Sequence, residues 1–302
     1  MVSYDLPAAL TEATSTNDQR ICDVGVLSFA NWMLDSGNGQ AERPLRLPSV
    51  QRTAVWNAER IINLWDSLMR GLPIGMFYLI RPTSGGYARA LPGSDGGPAP
   101  TIPASGTGYE LLDGQQRALA ILLGRQVPSA KNTRCMWVDL GRSDPNLALC
   151  LRLTSQSQPF GYDGRGGRLN TEQIRAARKA FDESEGCKVE KLLQNYELYN
   201  VMIKKNHWSR PLKPFQSKAA VPLHELLSAW SDSKGDENVF RGAVKDLLDG
   251  PVEAITQLSE VTAAFRSLDR SRIGLLLVRR PEPSDSDWLL RLFERIGAGV
   301  SR

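Results

Sequence analysis

Histidine is almost missing from this chain: its 302 residues include only His207 and His224. A histidine triad or proton relay has little to draw on. Cysteine is nearly as sparse, and Cys22, Cys135, Cys150 and Cys187 are too scattered to form a C-x-x-C pair. Zinc-ligand spacing is absent, and the four read as reduced core residues rather than a disulfide framework. No run approaches the roughly 18 consecutive apolar residues of a membrane helix. The opening MVSYDLPAALTEATSTNDQR lacks the basic-then-apolar layout of a signal peptide. A soluble, cytoplasmic protein with no membrane partner is therefore expected. Two common nucleotide signatures are also absent, the G-x-x-x-x-G-K-S/T loop and a G-x-G-x-x-G turn after a strand.

What remains is ordinary globular material. With 41% hydrophobic and 23% charged residues, enough apolar area exists for a large core, and the length suggests about two domains. The balance of 37 basic against 33 acidic residues, +4 in all, permits phosphate binding without demonstrating it.

The first twenty residues are polar and aperiodic and are expected to be a flexible tail, with order beginning near Ile21. Leu45 to Trp56 reads as an extended segment because Pro48 disfavours helix at the residue before it. A helix follows, with Asn57 as its cap, an apolar face of Ile61, Ile62, Leu64, Trp65, Leu68 and Met69, and Gly71 as its left-handed stop. The run Ile74 to Ile80 (IGMFYLI) predicts a buried strand. Residues 81–108, rich in Gly, Pro, Ser and Ala, are expected to be a mobile loop, since they bury too little apolar area to offset their ordering entropy. Tyr109 to Leu112 then predicts a strand, Asp113-Gly114 a tight turn, and QQRALAILLG a helix ending at Gly124.

Strands are also expected at Arg134 to Leu140 and at Leu147 to Leu153, the latter alternating Leu147, Leu149, Leu151 and Leu153 on one face. The second half turns helical, with segments near Thr171 to Glu185, Val189 to Lys205, Pro222 to Trp230, Glu237 to Leu248 and Pro251 to Leu268. One strand follows, Ile273 to Val278. A last helix starts at Ser284 or Asp285 and buries Trp288, Leu289, Leu292, Phe293 and Ile296. The chain stops at GAGVSR, loop chemistry directly after that helix, as a fragment of a longer domain would. The fold class is α+β: a small mixed sheet with helices over residues 21–145, then a mainly helical region over 146–302.

Glu110 to Arg117 is the segment richest in chemistry. A strand entering Asp-Gly and then a helix start makes an anion site, because the amides of Gly114, Gln115 and Gln116 have no partner inside the helix and the helix dipole favours negative charge there. Arg117 can fork onto phosphate oxygens, and Gln115 and Gln116 can orient a phosphate or an attacking water. Asp113 is a carboxylate at an anion site, so it would ligate Mg²⁺, act as a base, or cap the helix. The plain alternative makes Asp113 an N-cap and Arg117 a solvated helix residue. GRGGR, Gly164 to Arg168, reads as a solvated basic turn that could touch nucleic acid.

The order Leu47-Pro48-x-x-Gln51-Arg52, Trp56, a helix carrying Asp66-Ser67-Leu68, Gly71-x-Pro73-Ile74, a strand, and Tyr109 to Arg117 with its DGQQR run resembles the ParB/sulfiredoxin-like NTPase domain of GmrSD-type modification-dependent restriction systems. ParB itself places its phosphate motif at the same strand-to-helix turn. Weaker agreement continues at Arg152-x-Thr154, Pro159-x-Gly161 and Phe293-x-Arg295-Ile296. The resemblance implies a ParB-like mixed sheet that binds a nucleoside triphosphate with Mg²⁺. Asp113, Gln115 and Arg117 would be catalytic, with Asp113 on the metal. Gln51, Arg52, Gly114, Gln115, Gln116 and Arg117 would hold the nucleotide.

It further implies a part in DNA restriction or anti-phage defence, on DNA that is modified or not. The chain departs from the family at Gly297, where Asn is frequent, and at Gly299-Val300-Ser301-Arg302, where the family continues GG-x-x-L-S. No HNH nuclease motif is present, so a nuclease partner or a further C-terminal effector domain is expected. The departures also leave open a non-catalytic sensor that binds a nucleotide or modified DNA and regulates an effector. The arginine-bearing helical half offers a third reading, DNA binding that weakens with salt.

Overall fold

The computed structural model describes residues 10, 20–48, 56–82, 87–93, 101–103, 107–127, 134–154, 170–172, 175, 219–248 and 252–278. The first described strand, β1 (Arg20–Gly25), leads directly into helix α1 (Val26–Gly37), and β2 (Leu45–Pro48) precedes α2 (Ala58–Met69). Next come β3 (Phe77–Ile80), β4 (Tyr87–Ala90), β5 (Thr101–Pro103), β6 (Tyr109–Asp113) and α3 (Gln115–Arg125). The remainder is β7 (Cys135–Asp139), β8 (Cys150–Thr154), β9 (Ala220–Pro222), α4 (Leu223–Ser233), α5 (Glu237–Asp246), α6 (Leu258–Arg270) and β10 (Arg272–Leu277). The class is α+β, as the sequence pattern requires.

Seven strands form one mixed sheet in the order β1-β10-β3-β6-β2-β4-β5, and β8-β7-β9 form a second, antiparallel one. In the large sheet β10 is parallel to β3 and β2 is parallel to β6, while the other neighbours are antiparallel. β10 fills the place between β1 and β3, so the large sheet crosses the expected division at residue 145. Helices α1 and α2 bury aromatic side chains against this sheet and α3. Phe29 and Trp32 of α1 meet Phe77 and Tyr109, with ring centroids 4.9 Å apart for Phe29–Phe77 and 6.0 Å for Trp32–Tyr109. Helices α4, α5 and α6 carry their own aromatic contact, Trp230, Phe240 and Phe265 at 5.0 to 5.9 Å.

Local signals in the sequence are met closely. Asn57 caps α2 by accepting the Arg60 amide at 2.9 Å, and Gly71, at φ +69°, ends it. Leu72 N–H donates back to Ser67 O at 2.8 Å, which closes the last turn. Asn57→Ala should cost about 1 kcal/mol of stability, readable as a lower urea midpoint with an unchanged m-value.

Several expectations are corrected by partners distant in sequence. Leu10, placed in the expected flexible tail, is buried, and its carbonyl accepts from Tyr109 OH at 2.9 Å and Arg43 Nη1 at 3.2 Å. The stretch 81–108 contains β4 and β5, which extend the sheet from β2. Backbone ladders do not require apolar side chains, so composition missed them. The strand expected from Ile74 begins at Phe77, since the Ile74 and Met76 carbonyls bond an arginine described below. Gly124 lies inside α3 instead of ending it: a Cβ there would stand 2.2 Å from Trp65 Cζ2.

β8 begins at Cys150, with Leu149, Leu151 and Leu153 buried. The helix expected from Pro251 is split into a 3₁₀ turn at Val252–Ala254 and α6, because Thr256 and Gln257 donate their amides to Leu140 O. The expected helices at Val189 to Lys205 and from Ser284 onward lie outside the described residues, as does nearly all of that at Thr171 to Glu185. Among the described residues no helix is long and apolar enough to cross a membrane.

Candidate functional site

β6 occupies the fourth position of the seven-stranded sheet and delivers its last residue, Asp113, to the head of α3. Tyr78 on β3 pairs with Asp113 while the next residue, Leu79, pairs with Leu111. β6 therefore uses two steps where β3 uses one, and Leu112 is the extra residue of a bulge. Bulges bend a strand and re-aim its side chains, here immediately before the turn.

Gly114, at φ +91° and ψ 7°, is the N-cap of α3 and makes no side-chain cap bond. The first amide to bond within the helix is Ala118 N–H, to Gly114 O at 2.8 Å. Gln115, Gln116 and Arg117 thus supply the first-turn amides at the positive end of the helix dipole. Asp113 is not the cap, so that alternative for its carboxylate is removed. Only glycine fits at 114: its φ is left-handed, and a Cβ would stand 2.5 Å from Phe77 Cδ1.

Arg117 is held differently from a solvated helix residue. Its side chain is 19% exposed, and Nη1 donates to Ile74 O at 2.5 Å while Nη2 donates to Met76 O at 2.9 Å. Nη2 also reaches Asp113 Oδ2 at 3.3 Å, and the guanidinium lies 4.8 Å from the centre of the Phe77 ring. Burial lowers its pKa, opposed by the nearby Asp113 and Tyr78. Arginine titrates so high that it keeps its charge. Asp113 is the more exposed partner, at 39%.

Gln115 is buried at 8% exposure. Gln116 accepts the Trp56 amide on Oε1 at 3.3 Å, tying the first turn of α3 to the chain entering α2. Gln51 and Arg52 lie outside the described residues, as do GRGGR and His207. His224 is on α4, its pKa pushed down to about 4 by burial and by Arg125, and takes no part in this turn. Cys135 and Cys150 are buried thiols whose pKa values burial raises.

For a metal, no group of three His, Cys, Asp or Glu comes together among the described residues. The lone carboxylate of Asp113 fits Mg²⁺ in the mode where one carboxylate, water and substrate phosphates share the ion. Sequence reasoning missed Gly75 and Phe77, although a glycine inside the apolar run IGMFYLI signals a close backbone approach.

No curated protein matches the chain. The family model of the GmrSD restriction endonuclease, N-terminal domain, matches residues 33–297, which span the bulged strand, the Gly114 turn, α3 and the strand β10 that completes the sheet. The chain therefore belongs to the GmrSD restriction endonuclease N-terminal domain family and is a component of a restriction system.

Proposed function

We propose that the turn from Asp113 to Arg117 binds the phosphates of a nucleoside triphosphate with Mg²⁺ and supports its hydrolysis. The observation that carries this is the β6–Gly114–α3 turn. It is a bulged strand, a left-handed glycine packed against Phe77, and three leading amides at a helix N-terminus beside a half-exposed carboxylate. Such a terminus suits an anion through both its amides and its dipole. Gly114 and the amides of Gln115 and Gln116 would hold phosphate oxygens. Gln51 and Arg52 would join from the segment that leads into Trp56, whose amide is bonded to Gln116.

Asp113 would hold Mg²⁺, which when bound neutralises phosphate charge; otherwise Asp113 would accept a proton from the attacking water. In a restriction system this hydrolysis would accompany DNA, modified or not, with cutting left to a nuclease partner or a further domain.

The test is phosphate release from each of the four NTPs with Mg²⁺, with and without DNA. Asp113→Ala is expected to lower release about a hundredfold or more. It should leave folding nearly intact, because Asp113 is 39% exposed and Arg117 keeps its bonds to the Ile74 and Met76 carbonyls without it. Equal release by variant and wild type would overturn the assignment.

A second reading is favoured by the commitment of Arg117 to main-chain carbonyls and the burial of Gln115. Neither is presented as an exposed group for a transition state, and a sensor that binds a nucleotide or modified DNA without turnover requires neither. Saturable nucleotide binding by calorimetry with no phosphate release would select it.

A further inference from the structure

Resting on the nucleotide reading of this turn, we infer that Arg117 is a positioning residue, seated by Gly75, that orients Asp113 instead of gripping phosphate itself. The guanidinium fork spans two carbonyls of the segment entering β3, those of Ile74 and Met76, and reaches Asp113 with the same Nη2. Its Cζ stands over the Phe77 ring, 4.8 Å from the centroid, and Phe77 is in turn the ring that packs where a Gly114 side chain would be. Four residues from two distant segments therefore interlock: Gly75 and Phe77 before and in β3, Gly114 and Arg117 at the head of α3.

Gly75 is the keystone by two measures. Its φ is +83°, and a Cβ there would stand 2.5 Å from Arg117 Nη1. The obstructed atom is the end of a long side chain. Relief comes when the guanidinium swings away, surrendering the Ile74 and Met76 bonds and the hold on Asp113. Only a planar fork can meet two carbonyls and a carboxylate together; a lysine ammonium is a single point of charge. The bulge at Leu112 delivers Asp113 into the reach of this fork. The site's geometry is thus set by main-chain atoms of residues 74–76, about forty positions earlier in the chain.

The experiment uses the full chain and two readouts. Melting temperatures are compared for wild type, Gly75→Ala, Arg117→Ala and the double variant. Gly235→Ala serves as control, because Gly235 has the same φ of +83° and a Cβ there would meet nothing within 4 Å. Gly75→Ala is expected to lower the melting temperature by about 3 °C more than Gly235→Ala, and that excess should vanish when Arg117 is already alanine. Equal losses at the two glycines, or an excess that survives in the double variant, would overturn the seat.

The second readout is steady-state hydrolysis of Mg²⁺–NTP. Arg117→Lys is expected to lower kcat about tenfold or more while KM stays within about twofold, as misplacement of a reacting group does. A KM raised about tenfold with kcat retained would make Arg117 a direct phosphate ligand and overturn the positioning role. Should the wild type neither bind nor hydrolyse any NTP, the nucleotide reading fails and orientation for hydrolysis fails with it, while the melting cycle still decides the interlock.

Discussion

Gly124→Ala is expected to destabilise the protein by about 3 kcal/mol, although alanine is the better helix former by about 1 kcal/mol. The added Cβ would stand 2.2 Å from Trp65 Cζ2 and 2.6 Å from Cε2. Trp65 is fully buried, and its Nε1–H donates to Ala120 O at 2.9 Å. A rigid bicycle fixed at one end has no rotamer to yield into. Either the indole moves and loses a buried hydrogen bond, worth about 1–3 kcal/mol when left unmade, or α2 and α3 separate. Both exceed the propensity gain. Thermal melts should therefore show a fall of roughly 5 °C. A rise in melting temperature would mean that propensity prevails and that the close approach of α2 to α3 is absent in solution.

Gly114→Ala should cost a similar amount, about 3 kcal/mol, and remove nucleotide binding along with it. Two penalties add at this position. The left-handed φ alone costs roughly 1–2 kcal/mol for a residue with a Cβ, and Phe77, fully buried against Phe29 at 4.9 Å, cannot retreat from that atom. Gly114→Asn separates the two, because asparagine tolerates the left-handed region but still carries a Cβ. Asparagine is expected to restore little, in both the melt and the calorimetric titration with Mg²⁺–NTP. If Asn restored near-wild-type stability, backbone conformation alone would be the requirement and the Phe77 contact would not matter.

The legible part of this protein was local. Asn57, the apolar stripe of α2 and Gly71 state a helix from cap to stop within fifteen residues, and each acts through atoms a turn or less away. The strand, turn and helix beginning at Tyr109 were readable for the same reason, all but the helix end expected at Gly124, and with them the idea of an anion site. Illegible were the features made by pairing over long separations. Strands β4 and β5 hide in a composition that promises a loop, because a ladder is built from amides and carbonyls that every residue has. β10 takes the second place in the large sheet from residue 272 onward, and nothing in Arg272–Leu277 names β1 and β3 as its neighbours.

Arg117 marks the boundary between the two. Its presence at the head of a helix beside Asp113 and Gly114 is written in DGQQR, and so are the charge and the donors it can offer. By itself the sequence determined the strand, tight turn and helix start at this site and the clustering of Asp, Gln and Arg there, since these depend on backbone sterics and spacing along a single strand and helix. Only the tertiary structure decided where the donors go, because the Ile74 and Met76 carbonyls, the space above Gly75 and the ring of Phe77 come within reach of Arg117 only after β3 has paired with β6. A guanidinium bonds whichever acceptors packing brings within about 3 Å, and packing here brought the main chain.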